Sequence, residues 1–183
     1  MELAGYLLPM LNALWWPFTR NLALFTAAPV IGDMIVPLPV RVLLSLVLAF
    51  LMLPMTGGGN IDIDPFSVHG VVATIEQIVI GGVIGLAMHF AMSAISVLGY
   101  LVSSQIGFSM AQMNDPMNGQ SSDVVSLLLS MLTILVFFSI DGHLVLAGVM
   151  GASFKAWPVG QGYAPLLLNT VALNAAWIFS AAM

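Results

Sequence analysis

One stretch of the chain comes close to a catalytic motif. Gly107-Phe108-Ser109-Met110-Ala111 is one glycine short of a nucleophile elbow, in which a sharp turn presents a serine hydroxyl to a base, and His143 lies downstream as a candidate base. The pattern fails at its last position, where Ala111 stands in place of glycine. Ser109 therefore reads as one more hydroxyl in a polar segment, and no enzyme is expected. The three histidines are far apart in sequence and cysteine is absent. No HExxH, P-loop, GxGxxG or EF-hand pattern occurs either, so no metal or cofactor is expected. The ionisable groups left in apolar surroundings are Glu76, His89 and Asp141, the set that a stand-alone small-solute or proton channel would use.

The same stretch carries a second kind of chemistry. Met110, Met113 and Met117 recur at spacings of three and four, and methionine is flexible enough to close around objects of differing shape and then give way. Asn114, Asp115 and Pro116 are turn formers, and Asn118-Gly119 repeats the signal before Gln120 and Ser121. Ser121, Ser122 and Asp123 stand where the next helix needs an N-cap. The whole is a polar island from Gly107 to Asp123 between two long apolar arms. Lipid cannot satisfy its backbone groups, so it belongs in water or inside protein. In a pore the three methionines would form a deformable seal. The plainer reading makes them gap-fillers in a helical hairpin, and composition alone favours it.

The composition says where such a loop can be held. Of 183 residues, 60% are hydrophobic and 6% charged, with a mean hydropathy of +1.07. A soluble domain carries about 25% charged residues, so this chain belongs in a membrane or inside a large assembly. Three basic and eight acidic residues give a net charge of −5. No basic run occurs, which excludes the clustered phosphate contacts of nucleic-acid binding. Glu2 occupies the place of a positive n-region, so the start does not read as an ordinary signal peptide.

Hydrophobic runs and breakers predict an all-α, membrane-associated fold of helical hairpins in a single domain over residues 1–183. Helices are expected near 3–28, 40–55, 66–113, 124–155 and 165–183, with no strands. Trp15-Trp16-Pro17 suits the end of a helix at a membrane interface, or ordinary packing. Pro29, Gly32, Pro37 and Pro39 break the chain before the second helix, and the triple glycine between Thr56 and Asp64 marks an exposed loop. The run up to Asn114 would make about 57 Å of straight helix against a ~30 Å hydrocarbon core, so it bends, for instance near Gly99, or leaves the bilayer. Along it Gly82, Gly85, His89, Ser93, Ser96, Tyr100 and Ser103 recur at helical spacing on one face, and Gly81 with Gly85 makes a GxxxG pair. Small residues let helices approach and hydroxyls bond between them, so this face is expected to be a packing seam rather than the lining of an aqueous path. Asp141-Gly142-His143 interrupts the next apolar run. It is a polar helix break, read either as a proton path or, preferably, as a solvated turn.

Taken in order, the motifs resemble one family. They are Phe25-Thr26-Ala27-Ala28-Pro29-Val30-Ile31-Gly32, Val36-Pro37-Leu38-Pro39-Val40-Arg41, Leu53-Pro54 and Gly81-Gly82-Val83-Ile84-Gly85. Gly107-Phe108-Ser109-Met110, Asp115-Pro116, Gly119-Gln120-Ser121, Ile140-Asp141-Gly142-His143, Ser153-Phe154 and Pro158-Val159-Gly160 follow. The chain resembles the FliR family of flagellar type III export-gate proteins and, more distantly, the injectisome SctT family. The resemblance implies a non-enzymatic structural and gating subunit in the bacterial inner membrane, at the flagellar basal body. It would assemble with FliP-like and FliQ-like subunits near FlhB-like and FlhA-like proteins, and unfolded flagellar substrates would pass through. The loop from Gly107 to Ser122 would reach into the central pore as a plug. It further implies hairpins that wind into the assembly without each crossing the bilayer. Family members continue with a further apolar hairpin, so this chain reads as cut short at its C-terminus.

Overall fold

A computed structural model describes residues 2–29, 32, 36–56, 63–106, 112–114 and 121–160. Their elements are α1 (Glu2–Ala27), α2 (Leu38–Met52), a 3-10 turn (Leu53–Thr56), α3 (Val68–Ile106), β1 (Gln112–Asn114), β2 (Ser121–Asp123), α4 (Val124–Ser139) and α5 (Gly142–Ala156). The described residues are all-α apart from one short ladder. The helix expected over 165–183 lies outside the described residues.

Local chemistry explains most of the boundaries. Pro37 and Pro39 flank the start of α2, where a missing N–H costs nothing because the first donors of a helix have no partners anyway. At the start of α3 the Asp64 Oδ1 accepts the Phe66 N–H at 3.0 Å, and the Ser67 Oγ accepts the Gly70 N–H at 2.9 Å. Ser67 is thus a side-chain cap on the first turn. Helix α3 is 39 residues long, about 58 Å, and is long and apolar enough to cross a membrane. The α4–α5 pair meets the same criterion only if the two are taken as one span bent by 69°.

Two expectations about helix extents need correction, whereas α1, expected near 3–28, runs over Glu2–Ala27 through both Pro9 and Pro17, so that Trp15-Trp16-Pro17 is not a helix end. Trp16 is wholly buried, while the Trp15 Nε1 donates to Thr74 Oγ1 at 3.1 Å, so packing and a hydrogen bond occupy these rings. Helix α3 ends at Ile106 rather than near 113, and Gln112, Met113 and Asn114 pair antiparallel with Asp123, Ser122 and Ser121. The two segments lie side by side, and their backbone groups satisfy each other. The helix expected over 124–155 is two helices, because Asp141 has φ 57°, in the left-handed region. Asp is among the few residues that tolerate that conformation.

The centre of the molecule is α1, which α2 and α3 flank. Leu24 and Phe25 of α1, Met52 of α2, and Met150 and Phe154 of α5 form the buried apolar cluster, with Leu48, Ile84 and Leu146 against it. Helix α1 crosses α3 at Gly81 and Gly85. A Cβ at Gly81 would fall on the Arg20 carbonyl oxygen, and one at Gly85 would lie 2.8 Å from the Leu24 carbonyl oxygen and 2.7 Å from Ala27 Cβ. Only a residue without a side chain lets the backbones come so near.

Candidate functional site: the loop-bearing hairpin and a buried arginine

Helices α3 and α4 form a hairpin that holds the polar loop at its tip. The arms meet at Gly99, where a Cβ would lie 2.7 Å from Ser126 Cα, and the Ser126 Oγ donates to the Ser96 carbonyl oxygen at 3.2 Å. Beyond that crossing the β1–β2 ladder staples the base of the loop, pairing Asn114 with Ser121. Helix α4 has no buried residue, and Leu128, Met131, Leu135 and Val136 are exposed along it. The hairpin therefore projects from the core with apolar flanks. Of the expected plug residues, the structure puts Met113, Asn114 and Ser121 in the ladder. Gly107, Phe108, Ser109, Met110, Asp115, Pro116, Met117, Gly119 and Gln120 lie outside the described residues, so the spacing of Ser109 from His143 is not part of the geometry.

The expected seam on α3 divides. Gly85 and Ser103 are buried, Gly82, Ser93 and Ser96 are half-buried, and His89 and Tyr100 are exposed. A Cβ at Gly82 would meet nothing within 4 Å. The contact within the chain is made one position round the helix, by Gly81 with Gly85. Most of the stripe, Gly82, His89, Ser93 and Tyr100 among it, is not covered by α1 or α4 to the same degree.

At the polar break, Asp141 and His143 are exposed and no side-chain hydrogen bond or ion pair joins them among the described residues. Gly142 is buried because a Cβ there would strike the Phe137 ring, and His143 packs its ring 5.6 Å from that of Phe138. Within the chain the break is a turn with both side chains exposed. Glu76 and His89 sit on one helix, about 20 Å apart along its axis, which is too far for direct proton transfer. Among the described residues no group of three or more His, Asp or Glu side chains could hold a metal ion.

A further polar centre joins three helices. Arg20, fully buried in α1, donates from Nε to Gln77 Oε1 of α3 at 2.8 Å, from Nη1 to Ser153 Oγ of α5 at 3.0 Å, and from Nη2 to the Trp157 carbonyl oxygen at 2.9 Å. The guanidinium carbon lies 3.9 Å from the centroid of the Phe154 ring. No carboxylate among the described residues pairs with it, and within them neutral acceptors and the ring face compensate the buried cation. Among the described residues Gln77 Nε2 is buried without a partner, as are Trp16 Nε1 and Asn21 Oδ1. The sequence shows Arg20 as a lone charge in an apolar run, a signal that was there to be used. Its partners stand 57, 133 and 137 positions away, and no spacing announces them.

Comparison with known proteins gives the chain's family. Residues 11–183 match the family described as bacterial export proteins, family 1. The flagellar biosynthetic protein FliR of Pectobacterium carotovorum is 37% identical over 145 residues, covering 79% of this chain and 55% of that protein. FliR of Escherichia coli K12 is 31% identical over 153 residues, covering 84% of this chain and 58% of that protein. FliR of Bacillus subtilis 168 is 24% identical over 147 residues, covering 80% and 56%. The chain spans little more than half the length of these relatives. With a family match over nearly its whole length, the chain belongs to the FliR family of bacterial export proteins.

Proposed function

We propose that this chain is a structural and gating subunit of the flagellar protein-export pore, without enzymatic activity of its own. The observation that carries the reading is the family match over residues 11–183, with relatives named as flagellar biosynthetic proteins. The hairpin geometry supports the gating part. Two apolar arms in close contact at Gly99, and a ladder that sets Asn114 beside Ser121, make the closed base that a plug loop needs. The chain works with FliP-like and FliQ-like subunits, beside FlhB-like and FlhA-like proteins, at the basal body in the bacterial inner membrane. Unfolded flagellar substrates are its cargo. Its exposed apolar surfaces on α2 and α4 face those subunits or lipid.

In the closed state Met110, Met113 and Met117 seal the passage, and the free energy that holds them there is a few kcal/mol, since a gate must also open. Deleting Met110 to Met117, or changing all three methionines to Ser, makes the assembled complex leak ions or small solutes. Conductance, or growth under osmotic load, reads the leak in cells whose complex still assembles. Wild-type tightness in such cells removes the plug role and leaves the assembly role standing.

A further inference from the structure

We propose that Arg20 is the latch of a two-state hinge, in which α5 stays folded back on the core only while the guanidinium holds it, and otherwise rejoins α4 as one straight helix. A single residue separates the two arrangements. Among the described residues Asp141 is the one non-glycine position with positive φ. The α-helical pattern continues as far as the Ile140 N–H to Val136 carbonyl bond, shifts to a three-residue step at Asp141 N–H to Phe138, and restarts with Leu144 N–H to the Asp141 carbonyl. Returning Asp141 to an ordinary helical φ near −63° would restore the regular ladder and make residues 124–156 one helix about 50 Å long.

What opposes that return is concentrated at the far end of α5. Leu144 and Val145, next to the hinge, are exposed. Leu146, Met150, Ser153, Phe154 and Trp157 make the attachments, and Arg20 touches three of these five. If α5 leaves, the guanidinium loses Ser153 Oγ, the Trp157 carbonyl and the Phe154 ring together, and keeps only Gln77. A buried cation cannot give up its acceptors one at a time at low cost, so the release is all-or-none. Helix α4 remains against α3 through Gly99 and Ser126. The latch thereby ties the direction of one arm of the loop-bearing hairpin to the α1–α3 core. The inference concerns the chain's own conformations and does not depend on what the loop gates.

The chain has no cysteine, so spin labels at Leu128→Cys and Ala152→Cys, both exposed positions, report alone in the full chain recovered from membranes. Measured along the helix axes, these positions are about 30 Å apart with the 69° bend and about 36 Å apart when straight. Pulsed electron resonance is expected to find the shorter distance in the parent chain and a second, longer population in Arg20→Gln. Ser153→Ala with Phe154→Leu, which leaves Arg20 in place, is expected to do the same and carries the test if Arg20→Gln fails to fold. Adding Asp141→Gly, which accepts positive φ freely, is expected to restore the shorter distance. An unchanged distance in both latch variants overturns the proposal. So does a broad, featureless distribution, which would mean that α5 unfolds instead of straightening.

Discussion

Adjacent glycines on α3 make opposite demands, and substituting each by alanine separates them. A methyl group at Gly81 would fall on the Arg20 carbonyl oxygen, 3.0 Å from its carbonyl carbon and 3.1 Å from Ala23 Cβ, whereas one at Gly82 meets nothing within 4 Å. Carbon atoms rest about 3.5–4.0 Å apart, so Gly81→Ala pushes α1 back by about an ångström and carries Arg20 with it. Overpacking of this kind costs about 1–3 kcal/mol. Stretching the Arg20–Gln77 hydrogen bond, made by a charged donor, adds about 1.5–3 kcal/mol, and the better helix propensity of alanine returns about 0.5–1 kcal/mol. The net loss is about 2–5 kcal/mol, against a gain of up to about 1 kcal/mol for Gly82→Ala. Thermal unfolding of the detergent-solubilised chain, followed by circular dichroism, is expected to put Gly81→Ala on the order of 10 °C below the parent and Gly82→Ala at or slightly above it. Equal melting temperatures, or a greater loss at Gly82, would refute the helix crossing as described.

Other outcomes follow from the same contacts. Gln77→Glu replaces an unpartnered Nε2 with a second acceptor beside the guanidinium, and is expected to raise the melting temperature by an amount corresponding to about 1–3 kcal/mol; no change or a fall would show that the amide already has a partner. Gly99→Leu drives the α3 and α4 arms apart at Ser126 and is expected to cost about 1–3 kcal/mol, with faster proteolysis of the loop as the readout against the parent chain. Gly82→Leu tests the unfilled part of the seam: the isolated chain is expected to melt normally while recovery of the assembled complex falls, and full recovery would mean that no other subunit packs there.

Much of the fold is legible in the sequence because apolar runs of helical length are bounded by proline, glycine and aspartate. Pro37, Pro39 and Asp141 each fall at an element boundary of the structure. The end of α3 was not legible. The charge-free run continues to Asn114, and nothing in its composition marks where helical bonds give way to pairing with residues 121–123. The seam was legible as a type but not as a contact. Gly81 and Gly82 are equally small and one helical step apart, so periodicity alone cannot choose between them, whereas the position of α1 does. Arg20 was visible as an isolated charge in apolar surroundings. Its role was hidden because its acceptors come from two other helices and one backbone carbonyl, brought together only by the packing of α1 against α3 and α5.

The reading as an export-gate subunit is tested most directly by the identity of the chains that co-purify with this one from flagellated cells under mild detergent. Mass spectrometry of the intact complex is expected to find unlike subunits of the FliP and FliQ kinds in fixed ratio to this chain. A stable, ion-conducting assembly of this chain alone would contradict it, and would return Glu76, His89 and Asp141 to consideration as the groups of a self-sufficient channel.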